Sequence, residues 1–242
     1  MKLAKDKKSI TFLHVEGIDA PSWLINEDSA KEFAPQKDTV STADGVYQGD
    51  GSPPIGTYKW NKTNLTYAIV IPGQVKFVDI PDDNEVVRSI NFALTSWGLF
   101  CPLKFTKVPY GSSPAPDITI TFNATDPLFV DANGNQTGVL GYTYFPGTQQ
   151  GPFTCVLNPS YLWSESQQSV NFSMDINNLL RHELGHGIGC VHTTGLKDIM
   201  YPMYNDEIRQ KDEDILQVTT MYGPRNPPVN PAEIDGFFNS TI

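Results

Sequence analysis

Three of the chain's four histidines fall within eleven residues, His182-Glu183-Leu184-Gly185-His186-Gly187-Ile188-Gly189-Cys190-Val191-His192. This spacing constrains the fold around it more tightly than any other feature. Residues four apart share one face of a helix, so His182 and His186 can hold one ion. Zinc takes imidazole nitrogen readily, and a catalytic zinc uses three protein ligands and keeps one position for water. Glu183 stands beside the first ligand, where its carboxylate reaches that water. On a straight helix His192 would lie about 15 Å further along the axis than His182. Gly189 resolves this, because a glycine there can take positive φ, end the helix and turn the chain back. Zinc held only for structure normally has four protein ligands, and no fourth is visible at this spacing.

The chain continues Asp198-Ile199-Met200-Tyr201-Pro202-Met203-Tyr204. With this segment the sequence resembles the metzincin metalloproteases, most closely the matrixins. In that family a methionine turn floors the metal site. The resemblance implies that role for Met200, and a wall of the primed-side (S1') pocket for Pro202, Met203 and Tyr204. Upstream, residues 59–69, 91–97, 102–105 and 117–122 resemble the family's first strand, first helix end, second strand and third strand. Residues 139–147 resemble its substrate-binding edge strand, and Met221-Tyr222-Gly223-Pro224 its closing helix end. The implied fold is α+β, a twisted, mostly parallel five-stranded sheet with three helices and a zinc cleft below the edge strand.

Local patterns agree. Val86, Val87, Ile90, Ala93, Leu94 and Trp97 recur at helical spacing after Pro81-Asp82-Asp83, a helix start. Leu65–Ile71 and Asp117–Phe122 are runs of β-formers between turn residues. Leu179, Leu180 and Leu184 give the zinc helix an apolar face, with Asn171 or Ser173 expected as its cap. Strands precede the zinc helix, which suits an α+β domain.

The sequence also departs from the family. Matrixins carry a second, structural zinc held by three histidines and an aspartate; here Tyr142 stands where the edge-strand histidine would be, and His14 is the only histidine left over. One zinc per chain is expected. Asp131, Asn133 and Asn135 alternate oxygen side chains on a tight loop, which suits calcium; an Asx/Gly turn between strands is the other reading. Residues 1–56 read as a propeptide-like segment, 57–223 as the catalytic domain and 224–242 as a tail. No cysteine precedes Cys101, so the matrixin cysteine latch is absent. Tyr47-Gln48-Gly49-Asp50 resembles instead the aspartate switch of astacins, which implies that Asp50 caps the zinc in a latent form; a solvated turn is the alternative.

The 27 acidic and 17 basic residues leave a net charge of −10, which argues against nucleic acid. No apolar run reaches membrane-spanning length. The odd count and wide spacing of Cys101, Cys155 and Cys190 do not make a disulfide framework; one pair and three buried thiols are both open readings. Family resemblance implies an extracellular site of action, although residues 2–15 do not make a clear secretory signal. The expectation is a monomeric zinc endopeptidase acting on protein or peptide substrates, with Glu183 as general base. A non-catalytic zinc domain that docks a peptide in the same cleft remains an alternative, as does another metzincin branch.

Overall fold

The computed structural model of the chain describes residues 39–42, 45–48, 53–71, 83–130, 132–137, 139–149, 151–161, 163–164, 174–202, 207 and 209–239. The first described elements are β1 (Thr39–Thr42) and β2 (Gly45–Gln48), an antiparallel pair.

The main sheet has five strands: β3 (Asn64–Val70), β4 (Lys104–Lys107), β5 (Ile118–Phe122), β6 (Gly141–Thr143) and β7 (Cys155–Leu157). Their order is β4-β3-β5-β7-β6. Three pairings are parallel, and the outermost, β6 on β7, is antiparallel with Tyr142 opposite Val156. Alternation along β5 explains its place in the middle. Ile118, Ile120 and Phe122 enter the main core. Thr119 and Thr121 point the other way and hydrogen-bond to Pro152 and Val70 carbonyls.

One face of the sheet is covered by α1 (Asp83–Gly98) and α2 (Ile176–Gly187). Val86, Ile90, Ala93, Leu94 and Trp97 are the buried stripe of α1, and they share one core with Leu179, Leu180 and Leu184 of α2. Trp97 Nε1 donates to the Arg181 carbonyl at 2.9 Å, tying the helices together at depth. A short parallel pair, β8 (Trp163–Ser164) and β9 (Met174–Asp175), leads into α2. The cap of α2 is Asp175, whose Oδ1 accepts from Asn177 N at 2.8 Å. Asn171 and Ser173, expected in that role, lie outside the described residues, and the β9 pairing brings Asp175 to the helix start instead.

Behind β6, a second cluster joins Phe129, Val139, Tyr142 and Val156. Tyr142 donates its hydroxyl to Asp126 Oδ2 at 2.9 Å. The third helix, α3 (Asp212–Tyr222), ends at Gly223 as the sequence suggested. A fourth helix, α4 (Pro231–Asn239), goes beyond the three expected. Asn230 Oδ1 caps it by accepting from Glu233 N. Phe237 stacks on Phe92 of α1 with centroids 4.7 Å apart, Phe238 is buried, and Asp235 pairs with Arg209 at 2.7 Å. The tail therefore packs on the domain.

Candidate metal centre

All of α2 is buried, including His182, Glu183 and His186. The Nε2 atoms of His182 and His186 stand 3.2 Å apart. Two nitrogens bound tetrahedrally at the usual zinc distance of about 2.0–2.1 Å would be separated by roughly 3.3 Å. His192 joins them, and the ligand atoms of the three rings all lie within 4.8 Å of one another. Among the described residues no other group of His, Cys, Asp and Glu is gathered this way. The other two ring nitrogens of the helical pair are engaged behind the site: His182 Nδ1 with the Ile199 carbonyl at 2.7 Å, and His186 Nδ1 with the Cys190 carbonyl at 2.8 Å. A carbonyl can only accept, so Nδ1 carries the proton and Nε2 presents its lone pair, the tautomer a metal needs. Burial and the nearby His192 push His182 down to about 3, so its imidazole is neutral at neutral pH.

The turn after α2 follows from Gly189. Its φ is 101°, and a Cβ there would stand 1.9 Å from the Tyr58 carbonyl oxygen. Only glycine allows the segment of residues 58–60 to cross so closely. That crossing is secured by Trp60, whose Nε1 donates to the Gly187 carbonyl, and by Tyr222, whose hydroxyl donates to the Ile188 carbonyl. Gln217 of α3 clamps Val191 from both sides, accepting its N–H and donating to its carbonyl. His192 is thereby returned to the two helical histidines.

Met200 is fully buried and packs against Gly185 of α2. Its turn is held by one residue that sequence reading passed over. Asp214 Oδ2 accepts from Ile199 N and Lys211 N, both at 2.8 Å, and Oδ1 accepts from Met200 N at 3.0 Å. Ile199 also orients His182, so Asp214 anchors the turn and the ligand behind it. Its sequence signal was only that of an acid in the first turn of a helix.

Glu183 points towards β6, where Thr143 Oγ1 donates to its Oε2 at 2.9 Å. Burial pushes the carboxyl up to about 8, while the Thr143 hydrogen bond works in the opposite direction. Three imidazoles with a carboxylate beside them, the carboxylate held by the edge strand, can hold zinc and move a proton next to it.

Pro202 is half-buried just after Met200, while Met203 and Tyr204 lie outside the described residues. Asp50 and Asp131 do as well. Asn133 and Asn135 are exposed on a loop closed by a bridge between Val130 and Gln136. Cys101, Cys155 and Cys190 are free and buried.

Comparison with known proteins agrees with this geometry. The sequence pattern of the family described as Matrixin matches residues 59–223. Stromelysin-1 of Equus caballus is 32% identical over 184 residues, covering 73% of this chain and 35% of that protein. Interstitial collagenase of Sus scrofa is 28% identical over 180 residues, with the same coverage of 73% and 35%. Neutrophil collagenase of Homo sapiens is 26% identical over 212 residues, 85% of this chain and 41% of that protein. The chain thus spans little more than a third of the length of these relatives.

Proposed function

The chain belongs to the matrixin family, and on that premise we propose that it is a zinc-dependent endopeptidase that cuts peptide chains in the cleft between β6 and α2. The observation that carries this reading is the convergence of three imidazoles with a carboxylate next to the first of them. Zinc bound there supplies a Lewis acid that lowers the pKa of a coordinated water towards about 7 and polarises a carbonyl.

The chain's own residues supply the rest. His182, His186 and His192 hold the ion, the first two fixed in tautomer and direction by the carbonyls behind them. Met200, packed on Gly185 and held by Asp214, floors the metal site in this reading. Glu183 takes a proton from the water that attacks the scissile carbonyl and passes it to the leaving amine nitrogen. The strand β6 is the margin of the sheet, and an extended substrate can pair with it backbone to backbone. Pro202, Met203 and Tyr204 form the wall of the primed-side pocket in this reading, and Asp50 holds the enzyme latent before the segment ahead of Thr57 is cut away.

The same reading has the protein act as a monomer on protein or peptide chains. Large exposed apolar side chains among the described residues, Ile55, Tyr110, Leu196 and Leu216, are few. The net charge of −10 disfavours nucleic acid. No described helix is long and apolar enough to cross a membrane.

The test is digestion of casein or gelatin with and without chelator, repeated with Glu183→Ala. Loss of the general base is expected to lower the rate at least ~10²–10⁴-fold while one zinc per chain remains. Normal cutting by the Ala variant refutes the assignment of Glu183. A wild type that binds peptides in a zinc-dependent way but never cuts them supports a docking domain instead. Asp50→Ala is expected to release activity in the uncut chain; equal latency in both proteins removes Asp50 from the account.

A further inference from the structure

We propose that Thr143 is a positioning residue for the reaction, its hydroxyl holding the Glu183 carboxylate in the orientation needed for proton transfer. The inference rests on the reading of Glu183 as general base. Thr143 is the last residue of β6, so the strand proposed to bind substrate also touches the base. The hydrogen bond from Oγ1 to Glu183 Oε2 is 2.9 Å long, and the two residues are only 4% and 1% exposed. A buried carboxylate without a donor would be strongly disfavoured, and Thr143 is the donor among the described residues.

The hydroxyl is itself directed. A threonine hydroxyl has one proton to give, and here it goes to Glu183. Cys155 stands opposite Thr143 in the β6–β7 register. Burial raises the Cys155 thiol above its ordinary range, so it keeps its proton and adds no charge beside Glu183. The threonine methyl is boxed as well: a Cβ on Gly187 would lie 3.4 Å from Thr143 Cγ2. Two positions back on β6, a Cβ on Gly141 would meet Glu183 Cγ at 3.4 Å and Leu157 Cδ2 at 2.9 Å. The strand therefore leaves room for the Glu183 stem at Gly141 and grips its head at Thr143.

The full chain, supplied with zinc, is compared with Thr143→Val and Thr143→Ser on a fluorogenic peptide, together with zinc content and melting temperature. The Val variant removes the donor and keeps the shape. It is expected to lose about ten- to a hundredfold in kcat, as misplacement of a reacting group does, with KM within about twofold and one zinc per chain. The Ser variant is expected to restore kcat to within about threefold of wild type. Wild-type kcat in the Val variant, or a Ser variant as slow as Val, overturns the proposal. If the Val variant does not melt cooperatively, Ser and Ala, which differ by that one oxygen, make the same comparison, and equal kcat in the two overturns it. A wild type with no chelator-sensitive cutting overturns the proposed function on which this inference rests.

Discussion

Gly185→Ala sets two effects of opposite sign against each other. In an open helix, alanine in place of glycine is worth about 0.5–1 kcal/mol of stability. At residue 185 the new Cβ would stand 2.4 Å from Met200 Sδ and 2.8 Å from Trp97 Cζ2, against about 3.5–4.0 Å for carbon atoms in comfortable contact. The indole cannot yield easily, because its Nε1 is bonded to the Arg181 carbonyl within the core. Met200 must move by about 1 Å or more. Such overpacking costs about 1–3 kcal/mol, so it outweighs the helix gain and leaves a net loss of about 1–2 kcal/mol. For a domain of this size that lowers the melting temperature by about 2–8 °C. The displaced turn carries Ile199, whose carbonyl orients His182, so zinc binding should weaken about tenfold or more. Calorimetry in zinc and in chelator, with competition against a chromophoric chelator, reads both quantities. Gly236→Ala is the control, because a Cβ in that position of α4 meets nothing within 4 Å and should stabilise slightly. A Gly185→Ala protein that melts at or above wild type and binds zinc equally well would refute the packing argument.

Ending the chain after Pro224 removes α4, uncovers Phe92 and breaks the Arg209–Asp235 pair. Loss of the buried Phe238 and the ring stack should cost about 2–4 kcal/mol; an unchanged melting temperature would show that α4 does not stabilise the domain. Asp214→Asn replaces two acceptor oxygens by one, so one of the N–H groups of Ile199, Met200 and Lys211 faces an amide donor, at a cost of about 1–3 kcal/mol. Burial pushes Asp214 up to about 6 from an ordinary 3.8. The folded state therefore binds this proton more tightly than the unfolded chain, and ionising Asp214 costs wild type stability as pH rises from about 4 to about 6. Asparagine cannot ionise, so in chelator the deficit of the variant should narrow between pH 4 and pH 7; a constant deficit would contradict the raised value.

How much of this could be read from sequence depends on distance along the chain. The ligands and Glu183 sit on one helix and one turn, where spacing translates directly into geometry, and the resemblance to matrixins pointed to Met200 and to the segments that form strands. Thr143 and Asp214 reach partners 40 and 14 residues away. Each is an ordinary strand or helix residue until the fold brings those partners together. The strand β7 is three residues long and wholly buried, so it has no alternation to detect. Asp175 caps α2 because β9 delivers it there, a tertiary cause that outweighs the nearby polar residues at 171 and 173. The helix α4 was legible in principle: Asn230 is a cap, Pro231 suits a first helical turn, and Ile234, Phe237 and Phe238 share one face.

The proposed chemistry requires that His182, His186 and His192 together hold one zinc ion. Elemental analysis of the purified full chain, alongside His192→Ala, decides whether they do. One zinc per chain in the wild type, with the variant depleted after the same dialysis, is the predicted result. Folded wild-type protein without stoichiometric zinc, or a His192→Ala protein that retains it fully, would contradict the account.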